Sequence, residues 1–393
     1  MKNIETPAYI VNADILNESI LGFKDALDKY FKSSILGYSL KTNSLPYILK
    51  QIKSHGGYAE VVSHDEYELA RLCGFLPSEI IYNGPLKSKS SFLEAIEGDG
   101  IVNIECFREI EWLEELNRNR FYKIGIRVNI DLGLIAPNDA KDNEDYSRFG
   151  FSIESGEFES AVKKIEQLSN VQIDCLHVHR TTLSRSVEVF EEISNYVALI
   201  INDFKLDSIN KIDIGGGYYG IMDNKPTFLD YCGAIFNGLN ESLDVEKLTI
   251  IVEPGNALVA SCIDFVTSVI DVKKIRDFYI CTTDGSRNDI DPFYKKKSYF
   301  NNIYRQEEKE IVEKQIVTGG TCLEYDKIFE VSNESLLSVT DKIIYKSVGA
   351  YTMTLSPLFI RYFPAIYLLS RGEYSVIRES WKAKDFFNIY DTK

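Results

Sequence analysis

The stretch Ser34-Ile35-Leu36-Gly37-Tyr38-Ser39-Leu40 is apolar and β-rich, and Lys41-Thr42-Asn43 follows it at once. A helical pattern then runs over Leu45–Ser54, and a second β-rich run over Tyr58–Val62. Strand, polar strand end, helix, strand is the grammar of a parallel βα unit, because a parallel neighbour requires a crossover. The rhythm continues outward. Glu79–Tyr82, Gly100–Ile104, Tyr122–Asn129, Val171–His177, Lys211–Ile214 and Leu248–Val252 are further strand candidates, with Ser34–Leu40 and Tyr58–Val62 making eight. Helical patterns lie at Asp65–Cys73, Phe107–Asn117 and Val187–Asp203. The first of these opens on Ser63 and Glu66 at capping-box spacing and closes at Gly74. Eight strands with intervening helices predict an α/β fold whose first domain, residues 21–258, is a (β/α)8 barrel.

Beyond Leu258 the pattern changes. Ile263–Val272, Phe278–Thr283, Lys314–Val317 and Lys342–Val348 are β-branched runs without long helical partners. They predict a mostly antiparallel β domain over residues 259–393. Ala8–Val11 is strand-like and is expected to pair with that domain, which assigns residues 1–20 to it as well.

A chain of 393 residues with 45% apolar content is long enough for two domains with sizeable cores. The net charge of −15 argues against a nucleic-acid surface, and Lys295-Lys296-Lys297 is too short a run to reverse that. It reads as a solvated loop. No apolar stretch is long enough to span a bilayer, and the start shows no basic region followed by an apolar core, so no membrane association and a cytoplasmic location are expected. Seven scattered cysteines without a C-x-x-C pair suggest neither a disulfide framework nor a zinc site.

In such barrels chemistry collects at the C-terminal ends of the strands. Lys41, Ser63, Asn83, Arg127, His177, His179, Gly215 and Glu253 all fall at or near predicted strand ends. Lys41 reads as an aldehyde-binding lysine. Gly215, Gly216 and Gly217 follow Asp213-Ile214 and would let the backbone approach an anion closely; a plain flexible turn is the alternative. Gly215, Gly217 and Gly220 formally fit G-x-G-x-x-G, but no strand with an acidic residue follows about twenty residues on, which removes the dinucleotide reading. Glu253 precedes Pro254-Gly255 and would point into the barrel mouth, where it could keep a ring nitrogen protonated; capping a turn is its alternative role. His177 and His179 share one strand face, yet no carboxylate or cysteine stands nearby in sequence at ligand spacing, so no metal is expected. A histidine there can stack on an aromatic group or sit satisfied in the core.

Taken in order, these residues resemble the pyridoxal-phosphate-dependent group IV decarboxylases that include diaminopimelate, ornithine and arginine decarboxylases and share the alanine racemase-type barrel. The likeness covers nearly the whole chain. Tyr38-Ser39-Leu40-Lys41-Thr42-Asn43 looks like the family's Y-x-x-K-x-N, Glu60-Val61-Val62-Ser63 like D-V-V-S, and Ser147-Arg148-Phe149-Gly150 like S-K-F-G. The resemblance implies that Lys41 binds pyridoxal 5'-phosphate covalently, with Glu60 and Ser63 close by. Arg127 would lie near the cofactor's phenolic oxygen, and His179 would stack on its ring. Thr182, Gly215, Gly216, Gly217 and Tyr351 would surround the phosphate, and Glu253 would partner the ring nitrogen. Gly319-Gly320-Thr321-Cys322 is similar to the family's G-P-x-C, which implies that Cys322 reaches the site of the other subunit of a homodimer with shared active sites.

Departures carry information too. Asn256 stands where the family has the arginine of Glu-Pro-Gly-Arg, and Asp291 where diaminopimelate decarboxylases carry an arginine before proline. Leu323 replaces an acidic residue after the cysteine, so ornithine and lysine are less expected unless Asp284, Asp289, Asp291 or Glu324 receives a distal substrate amine. Arg180 occupies a usually apolar position and could replace the lost cation near the phosphate. An unpaired buried carboxylate is costly, which makes diaminopimelate a poor substrate candidate. The resemblance therefore implies decarboxylation of some other amino acid or derivative, carrier-linked forms included, with Lys41, Cys322, Glu253 and His179 in the chemistry. The alternatives are a racemase or epimerase, in which arginine rather than an acid meets the ring nitrogen, and a noncatalytic homologue with a binding or regulatory role.

Overall fold

A computed structural model describes residues 4–140 and 147–390. The chain divides into two compact units: Glu18–Leu258, and the segment through Asn17 joined with the chain from Val259 onward.

The first unit is a closed barrel of eight parallel strands. They are Ser33–Ser39, Tyr58–Ser63, Ile80–Leu86, Ile101–Ile104, Tyr122–Asn129, Val171–His177, Lys211–Asp213 and Thr249–Val252, called here the first to eighth strands. Each pairs with the next, and the eighth closes on the first with Val252 opposite Leu36. A two-residue strand, Phe151–Ser152, adds to the fifth outside the barrel. The expected strands are all present, with ends displaced by a few residues. Helices alternate with them as the rhythm predicts. The helices Ala13–Tyr30, Lys89–Glu97, Glu157–Glu166 and Phe228–Asn240 are additional to those expected from sequence. The last is set by a capping box in which Thr227 Oγ accepts the Asp230 N–H at 3.3 Å while the Asp230 carboxylate accepts the Thr227 N–H at 2.8 Å. Such caps contribute about 1 kcal/mol each. Ser63 caps the helix His64–Leu72, its hydroxyl accepting the Glu66 N–H at 3.1 Å, while the Glu66 carboxylate accepts the Val62 N–H at 2.9 Å.

Strand register puts the polar strand ends side by side. Ser39 lies opposite Glu60, Arg127 opposite His177, and His177 opposite Asp213. An aromatic cluster backs the seventh strand end: Tyr218 stacks on Phe190 at 4.7 Å between centroids and meets Phe23 edge-on at 5.2 Å. The Tyr218 hydroxyl donates to the Gly215 carbonyl at 3.1 Å, so core packing fixes the glycine turn.

The second unit is one nine-stranded sheet built around Ile263–Ile275. Ala8–Asn12 lies in it, antiparallel to Ile263–Ile275 and parallel to Ala365–Ser370. Phe278–Thr283 and Ile311–Thr318 form the other parallel pair; the remaining pairs are antiparallel. Ile4, Ala8, Ile10, Val266, Ile344 and Ala365 form a core on one face. Among the described residues no helix is long and apolar enough to cross a membrane.

Candidate active site

All eight strands feed one polar cluster at the C-terminal mouth of the barrel. Lys41 follows the first strand, Glu60 belongs to the second, Asn83 to the third and Asn103 to the fourth. Arg127 comes from the fifth, His177 and His179 from the sixth and its exit, Asp213 from the seventh, and Glu253 directly follows the eighth. A hydrogen-bonded line crosses this mouth. Lys41 Nζ donates to Glu60 Oε2 at 3.2 Å, and Ser39 Oγ donates to the same oxygen at 2.5 Å. Asn83 Nδ2 donates to Glu60 Oε1 at 3.0 Å and to Glu253 Oε1 at 2.5 Å. Asn103 Nδ2 donates to Asn83 Oδ1 at 2.8 Å and so fixes which way that amide faces.

The charges in this cluster are unequal. Burial alone would raise the Glu60 carboxyl, but the Lys41 ammonium and the hydrogen bonds from Ser39 and Asn83 outweigh it and hold the group below the usual carboxylate range. Glu253 goes the other way: burial, then the negative charges of Asp213 and Glu60, push its carboxyl well up. Burial also pushes Asp213 up to about 7. His177 is driven well down by burial and by the Arg127 charge, so it is neutral. His179 is pushed down to about 3 by burial and the nearby cations Lys41 and Arg127. Its Nδ1 accepts the Gly216 N–H at 3.1 Å, which sets the tautomer and the ring plane.

The glycine turn is sterically obligatory. Gly215 has φ +69°, and a Cβ there would lie 2.7 Å from His179 Cβ; a Cβ on Gly216 would lie 2.4 Å from the Glu253 carbonyl oxygen. Arg127 is held at 3.0 Å by Glu105, and Phe149 lies 4.8 Å from its guanidinium. Behind Glu105 stands Glu109, which accepts the Glu105 N–H at 2.9 Å and pairs with the buried Lys87 at 3.0 Å.

The barrel thus brings together Lys41, Glu60, Arg127, His179, Gly215, Gly216 and Glu253. Thr182 is buried nearby in sequence, Arg180 and Asn256 are half-buried, and Ser63 is engaged as a helix cap. Tyr351, Cys322, Leu323, Glu324 and Asp291 belong to the second unit. There Cys322 is an exposed free thiol, and Tyr351 is 41% exposed with φ +56°. Asp291 differs from expectation. Its Oδ2 receives Arg287 Nε at 3.1 Å, Arg287 Nη2 at 2.9 Å, the Lys296 N–H at 3.0 Å and the Tyr299 hydroxyl at 3.0 Å; its Oδ1 receives the Lys295 N–H at 3.1 Å. These five donors fold the 291–299 loop around it, so it is a loop staple rather than a receptor for a substrate amine. The carboxylates beside His177 escaped sequence reasoning because they lie 36 and 76 residues away along the chain. Parallel register in closed barrels was the available signal, since it aligns successive strand ends.

A lysine at the mouth, a neutral histidine above a glycine turn and a buried acid facing the lysine through two side chains define an aldehyde-cofactor barrel of the decarboxylase type. The donor set fits pyridoxal phosphate on this structure's own terms. Among the described residues no lysine or arginine pairs with the buried acid Glu253, the Asp213 carboxyl hydrogen-bonds to it, and a cationic ring nitrogen would satisfy such a pair of acids. The comparisons agree. The model of the pyridoxal-dependent decarboxylase pyridoxal-binding domain matches residues 16–260, and the chain belongs to that family. It is a pyridoxal-phosphate-dependent amino-acid decarboxylase by family and fold. It is 26% identical over 359 residues to diaminopimelate decarboxylase of Helicobacter pylori strain J99, covering 90% of this chain and 87% of that one. The corresponding Aquifex aeolicus protein is 26% identical over 394 residues, covering 95% and 89%. The crystal structure of Helicobacter pylori diaminopimelate decarboxylase complexed with L-lysine superposes with a TM-score of 0.82 at 26% identity, covering 99% of this chain and 97% of that one.

Proposed function

We propose that this chain decarboxylates an amino acid at the barrel mouth, with Lys41 as the covalent anchor and Glu253 as the ring partner. The observation that carries the assignment is the continuous line Lys41–Glu60–Asn83–Glu253, which sets an amine and a buried acid at opposite ends of one hydrogen-bonded path. When bound, pyridoxal phosphate supplies an aldehyde for amine attachment and an electron sink for the bond broken at Cα. Glu60 would orient the Lys41 nitrogen through their 3.2 Å contact and stabilise positive charge on it when the cofactor is bound. Glu253, ionised against a cationic nitrogen, keeps that nitrogen protonated. His179, neutral and pinned by Gly216, offers a flat face. Arg127 offers a cation for the phenolic oxygen. Arg180, Thr182, Asn256, the glycine turn and Tyr351 serve the phosphate. Cys322 of a second copy, or Lys41, returns the proton to Cα; the first case makes a homodimer the working form. Loss of borohydride-trapped cofactor in Lys41→Ala tests the anchor, and sedimentation at assay concentration tests the dimer.

The substrate in this reading is not diaminopimelate. Asn256 and Asp291 remove two arginines, and Asp291 is itself neutralised by Arg287. A substrate with a neutral, anionic or carrier-linked distal group would then suit Leu323 and the exposed Lys295 and Lys297. The names of the relatives support diaminopimelate instead. Carbon dioxide release across an amino-acid panel, with mass analysis of the product amine, decides between the two; racemisation without carbon dioxide would refute both.

A further inference from the structure

Two buried groups beside Glu253 have no task in the reading above. His177 is 1% exposed, neither ring nitrogen has a hydrogen-bond partner among the described residues, and its Nε2 lies 3.7 Å from Glu253 Oε2. Asp213 is fully buried, and its carboxyl meets that of Glu253 in a side-chain hydrogen bond, so the two acids share one proton-binding unit. One nitrogen of His177 and one oxygen each of Asp213 and Glu253 lie within 4.8 Å of one another. The backbone binds the two acids into one unit: Asp213 Oδ1 accepts the Gly215 N–H at 2.9 Å, and the Gly215 carbonyl accepts the Glu253 N–H at 2.8 Å. Lys41 is matched by Glu60 and Arg127 by Glu105, and among the described residues neither of the buried acids Asp213 and Glu253 has a lysine or arginine paired to it. A second buried acid beside the first is expensive unless a cation arrives.

We propose that Asp213 and His177 are positioning residues for the ring nitrogen: Asp213 sets a second negative charge behind Glu253, and His177 turns a neutral N–H onto Glu253 Oε2. A cationic nitrogen then meets an acid whose place is fixed by the glycine turn and whose charge is reinforced from behind. The inference rests on Glu253 being the ring partner. An opposite charge within about 4–6 Å shifts a pKa by about 1–3 units, so the ring proton is held to higher pH in the wild type than without Asp213.

The test is a pH titration of cofactor absorbance in the holoenzyme, with cofactor affinity and Tm measured beside it. Asp213→Asn is expected to lower the midpoint for loss of the ring proton by about one unit or more. His177→Phe lowers it less, and His177→Gln, which keeps an N–H donor, stays near wild type. Should Asp213→Asn not fold, Asp213→Ser keeps an acceptor for the Gly215 N–H and carries the same test. A purely structural pair would change Tm or affinity and leave the midpoint unmoved, which overturns the proposal. Glu253→Gln separates the two levels. If it leaves the midpoint unmoved, the ring-partner reading itself fails. If it moves the midpoint while Asp213→Asn does not, only the present inference fails; if Asp213→Asn moves it and His177→Phe does not, the histidine half falls.

Discussion

Replacing Lys87 by methionine removes the cation from an ion pair whose side chains have no exposed surface. Lys87 Nζ reaches Glu109 at 3.0 Å and the Gly84 carbonyl at 2.8 Å. Breaking such a pair from one side costs about 3–5 kcal/mol, because the other charge stays buried. At about 2–4 °C per kcal/mol for a unit of this size, Tm should fall by about 6–20 °C. The loss depends on pH in a definite sense. Burial already holds the Glu109 carboxyl above its ordinary value. Without Lys87 it rises further, so the folded state binds a proton that the unfolded chain releases, and stability declines as pH climbs from the unfolded value through the folded one. The deficit should therefore be smaller at pH 5 than at pH 8. Glu109 also holds the Glu105 backbone, and Glu105 holds Arg127, so cofactor affinity should fall with it. The double variant Lys87→Met/Glu109→Gln removes both charges while keeping an acceptor for the Glu105 N–H, and should recover most of the loss. Calorimetry and denaturant melts followed by circular dichroism read these changes. A single variant that loses under about 1 kcal/mol, or a double variant as unstable as the single one, would refute the account of a desolvated pair.

Gly216→Ala drives a methyl into the Glu253 carbonyl at 2.4 Å; overpacking of this kind costs about 1–3 kcal/mol, read as weaker cofactor binding by equilibrium dialysis. Cofactor-free protein should lose thermal stability as pH rises from about 4 through about 7, because Asp213 and Glu253 hold protons in the fold that the unfolded chain releases there; a flat Tm between pH 5 and 8 contradicts it. Cys322→Ala should leave cofactor absorbance intact while slowing steady-state formation of the amine, the step that follows loss of carbon dioxide, and an unchanged rate removes the thiol from the chemistry. Arg287→Ala strips the cation from the buried Asp291 and should loosen the 291–299 loop, seen as faster amide exchange there.

The barrel was legible from the chain because parallel strands and crossover helices impose two different apolar periods in strict alternation. Lys41, Gly215 to Gly217 and Glu253 were legible because each punctuates a strand end with an unusual residue type. His177 was seen and left without acidic neighbours, since its neighbours Asp213 and Glu253 arrive through strand register rather than through local spacing. Asp291 was visible as a departure, but its partner Arg287 was not predicted. An i, i+4 pair closing a loop around a buried acid leaves no periodic trace.

What the sequence alone determined is the alternation of elements, the order of the strand ends and the residue types at them, because local propensity and apolar period act within a few residues. What the tertiary structure decided is the charge state at the mouth. Whether an acid is ionised depends on burial and on charges a few ångströms away, and closing eight strands into a ring brings Glu60, Asp213 and Glu253 together from three separate parts of the chain.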